Sequence, residues 1–139
     1  MTFDIRSLTP SETAIMPIRD VAGNIQQGAE GNEPGIEYYG PGTRIFVNAR
    51  HEYLEAARKM VREGKKTTAD DETKIRADFL TKITKRLVNF EFPGGAAALY
   101  RDLELNYIAE DGYKFADDRG NFKRSSAPSS PNTSVTQPG

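Results

Sequence analysis

Hydrophobic residues recur at three- and four-residue intervals through the middle of this chain and in short runs near its start, a pattern that predicts helices preceded by a small β element. Thr13 to Arg19 (TAIMPIR) reads as a short strand, and Pro17, which has no backbone donor for a ladder, assigns it to a sheet edge. Ile36 to Tyr39 is a second strand candidate. The intervening DVAGNIQQGAEGNEPG, with four glycines and one proline, is a loop rather than a tight turn, long enough for the two strands to pair across it.

Thr43 to Glu63 is the first helix. Pro41 and Gly42 halt the preceding strand, and Phe46, Ala49, Tyr53, Ala57 and Met60 form one apolar stripe, with Arg50, Glu52, Glu55, Arg58, Lys59 and Arg62 around the rest. Gly64 stops the helix, and Lys65 and Lys66 stand at its negative end. A second helix opens on TTADDE, where Thr67 or Thr68 caps and Asp70, Asp71 and Glu72 face the positive end. Ile75, Phe79, Ile83 and Leu87 follow at four-residue intervals with Leu80 beside them. The helix is expected to continue past Leu87 to Phe90 and Phe92 and to end at Pro93-Gly94-Gly95. Joined by a short polar loop, the two helices form an antiparallel pair.

A third helix is predicted from Ala96 to about Ala109, with Leu99, Leu103 and Tyr107 inward and Asp111-Gly112 breaking it. YKFADDRGNF adds a short turn before Gly120, and Phe122 pins the end onto the core. Residues 125–139, SSAPSSPNTSVTQPG, hold five Ser, three Pro and no charge, with Val135 the one large apolar side chain; such a segment buries too little to offset its ordering entropy. The expected organisation is a single domain over residues 1–122, mainly α with a small N-terminal β element (α+β), three to four helices around one core, and a disordered Ser/Pro/Thr-rich tail over 123–139.

Composition narrows the function. A chain of 139 residues holds one ordinary domain and buries enough surface to need no staple. The absence of cysteine removes disulfides, thiolate metal sites and cysteine nucleophiles together. Nineteen Lys plus Arg against twenty Asp plus Glu give a formal charge of -1, so no net field favours nucleic acid or an anionic membrane. The start of the chain lacks the basic-then-apolar pattern of a signal peptide, and no apolar window approaches the length of a membrane span. A cytoplasmic protein is expected.

Candidate chemistry is sparse. His51 is the single histidine and sits on the charged side of the first helix, with no serine or cysteine nucleophile pattern to serve. Asp70-Asp71-Glu72 lacks the calcium-loop pattern, and consecutive helical residues diverge, so helix-start electrostatics accounts for them. Asp117-Asp118 beside Arg119 reads as a local salt-bridged surface. Gly40-Pro41-Gly42-Thr43-Arg44 lacks the phosphate-loop spacing and reads as a strand-to-helix corner capped by Thr43. The cluster Arg58, Lys59, Arg62, Lys65, Lys66 is interleaved with Glu55 and Glu63 and reads as a solvated helix end. No catalytic residue, metal or cofactor is expected. What remains is the run of aromatics. Phe90, Phe92, Tyr100, Tyr107, Tyr113 and Phe115, with Phe122, exceed a minimal core, which makes the first six candidates for partner binding or self-association.

Four segments carry a resemblance. "PIRDVAGN" is followed by "YYGPGTRIFVNAR" leading into a charged helix, then by "FLTKITKRLVNFEF", and the domain closes on "LYRDLELNYIAEDGYKFADDRGNF". In this order they resemble the tail assembly chaperone family of long-tailed bacteriophages, over roughly residues 13–122. The most specific parts are the YGPG corner and the closing segment, and the glycine-rich loop before the corner is longer than the family pattern. The resemblance implies a non-enzymatic factor in the cytoplasm of an infected or lysogenic host. It would bind the tape measure protein, promote polymerisation of the tail tube protein, form homo-oligomers and be absent from the mature virion. It also implies a longer, frameshifted form of the chain. Two other classes share the size: a virion component such as a tail completion or head-tail joining protein, and a small DNA-binding regulator. Near-neutral charge and the lack of helix-turn-helix spacing weigh against the regulator.

Overall fold

The computed structural model describes residues 2–29, 31–64 and 68–123. Among these residues four α-helices pack against a three-stranded antiparallel sheet, the expected α+β class. The strands are β1 (Thr13–Pro17), β2 (Gly35–Tyr39) and β3 (Thr84–Val88), in the spatial order β1-β2-β3. The helices are α1 (Arg44–Arg62), α2 (Ala69–Ile83), α3 (Gly95–Arg101) and α4 (Asn106–Asp117).

β1 and β2 pair as expected across the glycine-rich loop, with Ile15 opposite Glu37 and Pro17, opposite Gly35, at the end of an edge strand. Alternation then sorts the side chains. Met16, Ile36 and Tyr38 point into the core, while Ile15 and Glu37 share the other face. After β2 the chain turns through Gly40, where a Cβ would stand 2.5 Å from the Phe122 ring, so only glycine fits. Thr43 then caps α1, its hydroxyl accepting from Phe46 N at 3.2 Å. Phe46 and Ala49 are the buried end of the α1 stripe.

α2 starts with a capping box: Asp71 N donates to Thr68 Oγ1 at 3.1 Å, and Thr68 N donates to the Asp71 carboxylate at 3.1 Å. Lys65, Lys66 and the alternative cap Thr67 lie outside the described residues. The end of α2 differs from expectation. The helix stops at Ile83 and the chain passes directly into β3, so the sheet is not confined to the N-terminal part of the chain. Leu87 keeps an inward place in either conformation, opposite Ile36 in the ladder, which is why a four-residue repeat could not separate helix from strand. Two features decide for the strand. Thr84 is extended and lies 2.7 Å from the Leu80 carbonyl through its hydroxyl, satisfying an open helix end, and β2 presents a second edge that β3 fills.

The third predicted helix is two helices. Asp102 breaks it by accepting from Glu104 N (2.9 Å) and Leu105 N (3.3 Å), the local competition by which aspartate ends helices. α4 then runs through Asp111-Gly112, the expected breaker. Gly112 is retained for space, because a Cβ there would overlap the Tyr38 hydroxyl. Leu103, expected inward, lies in the break and is 72% exposed. The closing turn spans Arg119–Phe122, later than expected, and buries Phe122, whose carbonyl accepts from Ser11 N at 2.7 Å. The tail from residue 124 onward lies outside the described residues.

α1 and α2 form the expected antiparallel pair, tied at the surface by Lys82 to Glu52, while Arg101 to Asp78 (2.8 Å) joins α3 to α2 and Arg76 to Asn106 (2.6 Å) joins α4 to α2. Phe79 is the hub. Its ring centroid lies 5.5 Å from Phe46, 5.5 Å from Tyr53 and 5.6 Å from Tyr113, spanning α1, α2 and α4. Phe79→Ala is expected to cost about 3–5 kcal/mol in chemical denaturation; an unchanged midpoint would remove Phe79 from the core.

Candidate functional site

The six aromatics proposed for contact do not form one surface. Tyr100 is fully buried: its hydroxyl donates to the Tyr38 hydroxyl at 2.9 Å and lies 2.6 Å from Thr84 Oγ1, so it is a core residue. Burial raises the pKa of both phenols, so both remain protonated hydrogen-bonding groups. Tyr113 is half-buried against Tyr53 (6.0 Å) and Phe79, and Phe115 bridges Tyr38 (6.2 Å) and Phe122 (5.9 Å). Tyr107 is half-buried, its hydroxyl donating to the Arg19 carbonyl at 3.2 Å. Phe90 and Phe92 lie between β3 and α3, packed partly against the core. Tyr113 thus joins a cluster completed by Phe46 and Tyr53 from the first half of the chain, Tyr100 and Phe115 lie around Tyr38, and Phe90, Phe92 and Tyr107 pack against the core apart from both.

Exposed apolar area is found elsewhere. Phe3, Ile5 and Leu8, around a 3-10 turn at Ile5–Leu8 that buries nothing, are 71%, 69% and 65% exposed. On α1, Val47, Leu54 and Val61 face solvent. Between α1 and α2 lies a cavity of about 360 Å³ lined by Tyr53, Ala57, Met60, Val61, Glu72, Ile75 and Arg76. Arg76 Nε is buried there without a hydrogen-bond partner among the described residues.

The charged candidates have structural employment. His51 is exposed on α1. Asp117 reaches across to Arg50 on α1 (3.0 Å) and Asp118 opens the final turn by accepting from Gly120 N (2.8 Å), so the pair is divided between two tasks instead of forming a local ion pair with Arg119. Arg58 bonds Glu55 at 3.0 Å. Among the described residues no group of three or more His, Asp or Glu is arranged to hold a metal ion, and no helix is long and apolar enough to cross a membrane.

Among the described residues the one buried charge is Glu37, on the face of the sheet opposite the helices. The Thr13 hydroxyl donates to its Oε2 and Arg86 Nε donates to its Oε1, each at 2.7 Å, so one carboxylate joins all three strands. With both oxygens engaged it is not poised as a general base. Sequence reading missed this group because the partners lie 24 and 49 residues away.

Comparison of the chain with protein-family models, with curated proteins and with solved structures finds no match.

The Thr13 hydroxyl first, and then Arg86 with help from Lys85, hold the Glu37 carboxyl below its ordinary value of 4.5, against the opposing effect of burial. A depressed folded-state pKa contributes stability that is present above the unfolded value and lost as pH falls through the folded one. Glu37→Gln should therefore melt below the parent at neutral pH, and the gap should narrow as pH drops below 4.5. A gap independent of pH would refute the linkage.

Proposed function

We propose that this chain is a non-enzymatic tail assembly chaperone of a long-tailed bacteriophage or prophage, which binds the tape measure protein and promotes polymerisation of the tail tube. The observation that carries the reading is a contact. The two most specific segments of the resemblance, the YGPG corner and the DDRGNF ending, meet in the fold, where Gly40 lies against the Phe122 ring and admits no larger residue. Residues that far apart in sequence are therefore constrained by one another, which supports treating them as a single pattern rather than as two coincidences.

Apolar side chains outside the core, among them Phe3, Ile5 and Leu8, support a protein that works by contact and self-association. On this reading it acts in the host cytoplasm as a homo-oligomer and leaves before the virion is complete. The function test is co-expression of the tape measure protein with this chain and, separately, with a frame-fused longer form, followed by pull-down. Stronger recovery with the longer form is expected; recovery with neither overturns the chaperone reading, and finding the chain in purified particles overturns its departure. Light scattering over a wide concentration range should give a mass above that of the monomer, and a monomer at every concentration would remove the oligomer from the proposal.

A further inference from the structure

Three of the exposed apolar side chains fall on one helix at one spacing. Val47, Leu54 and Val61 of α1 are 49%, 41% and 76% exposed and stand seven residues apart. Seven residues is nearly two helical turns, so the three share a line that drifts by only about 20° per step. That line is displaced around the helix from the face that Phe46 and Ala49 turn into the core. At about 1.5 Å per residue it runs for roughly 21 Å. Scattered apolar residues on a surface need no explanation, but a seven-residue repeat along one helix supplies one of the two positions of the heptad seam that a second helix grips, the other being held here by Arg50 and Ala57. Beside Val61 opens the cavity walled by Tyr53, Met60 and Ile75, at about 360 Å³ roomy enough to receive an apolar side chain from an incoming helix.

The charges flanking this line are one-sided. On the edge turned away from the core, Arg44, His51, Arg58 and Arg62 follow at helical spacing, all exposed. Arg44 and Arg62 have no ion pair among the described residues, and the two acids of α1, Glu52 and Glu55, are engaged by Lys82 and Arg58. The helix carries five Lys or Arg against two Glu, in a chain whose formal charge is -1.

We propose that this stripe seats an acidic amphipathic helix of a partner protein, whose apolar residues pack on Val47, Leu54 and Val61 and whose carboxylates meet Arg44 and Arg62 and compete with Glu55 for Arg58. Charge disfavours a second copy of α1. A second copy would bring the same basic edge, and the two acids of its α1 are already engaged by Lys82 and Arg58, so like charges would meet across the seam and oppose pairing. Shape disfavours a membrane. A helix lying in a bilayer surface presents a broad apolar face with bulky rings, whereas this stripe is a single line of Val and Leu on a helix whose other face is committed to α2. The inference stands on α1 alone and does not depend on the tail-assembly reading.

Two synthetic peptides of roughly three heptads, with the same leucine seam but flanked by Glu in one and by Lys in the other, provide the test against the full 139-residue chain by fluorescence anisotropy. The Glu peptide should bind and the Lys peptide should not. Binding should weaken about tenfold with Leu54→Ser, about 1.4 kcal/mol, and fall with Arg58→Glu and with added salt. Both positions are exposed, so the melting temperature should stay at the parent value and report that the variants are folded. Equal binding of both peptides, binding of neither, or no loss with Leu54→Ser overturns the proposal. A fall in molar mass with Leu54→Ser would give the stripe to a second copy, and Leu54-dependent retention on phosphatidylserine vesicles would give it to a membrane.

Discussion

The Tyr38 hydroxyl is the constraint on which the rest of the packing depends. It lies at the centre of the domain, on the middle strand, where a polar group without a partner costs about 1–3 kcal/mol. Its partner is Tyr100 on α3, and Tyr100 in turn approaches Thr84, the residue at which α2 becomes β3. α4 closes over the same point and can do so only where Gly112 leaves room for the oxygen. One buried oxygen thus sets the distance from the sheet to two helices and ties them to the start of the third strand. Specific placement of this kind is what a satisfied polar group adds to a core that hydrophobic burial alone would leave adaptable.

What could be read in the chain was local, and what could not be read was long-range. α1, its Thr43 cap, the Thr68 capping box and the pairing of the first two strands follow from signals contained within a few residues. β3 did not, because the choice between helix and strand for Thr84 to Val88 depends on the vacant edge of β2, far away in sequence. The split between α3 and α4 turned on whether Asp102 or Asp111-Gly112 would break the helix, and tertiary contact with Tyr38 reversed the propensity of glycine. The candidate surface suffered similarly. A count of aromatics cannot say which rings face inward, and Tyr100, among the most buried of all, is indistinguishable by composition from half-buried Tyr113. The seven-residue repeat on α1 is present in the letters, but exposure alone separates this outer line from the inward stripe of Phe46 and Ala49 on the same helix.

Net charge conceals a comparable asymmetry. A formal charge of -1 describes no surface of the molecule: α1 is basic along its outer edge, while acidic side chains gather at the start of α2. With a screening length near 8 Å at physiological salt, such patches act separately on whatever approaches them. The sheet adds a further division. Its inner face is apolar, and its outer face is held by the Glu37 ion pair, so the two sides depend on different conditions: one on burial and the other on pH.

The direct passage from α2 to β3 has a consequence for how the chain reaches this structure. Thr84 both caps the helix and begins the strand, leaving no slack between them. α1 and α2 make up most of the connection between β2 and β3, so their folding back on one another is what returns the chain to the sheet in the finished structure. Sheet completion and hairpin closure therefore share a loop, and once either has formed much of the loop entropy of the other has been met. Pairing of β1 with β2 needs only the shorter loop between them, whereas β3 belongs to the longer-range part of the fold.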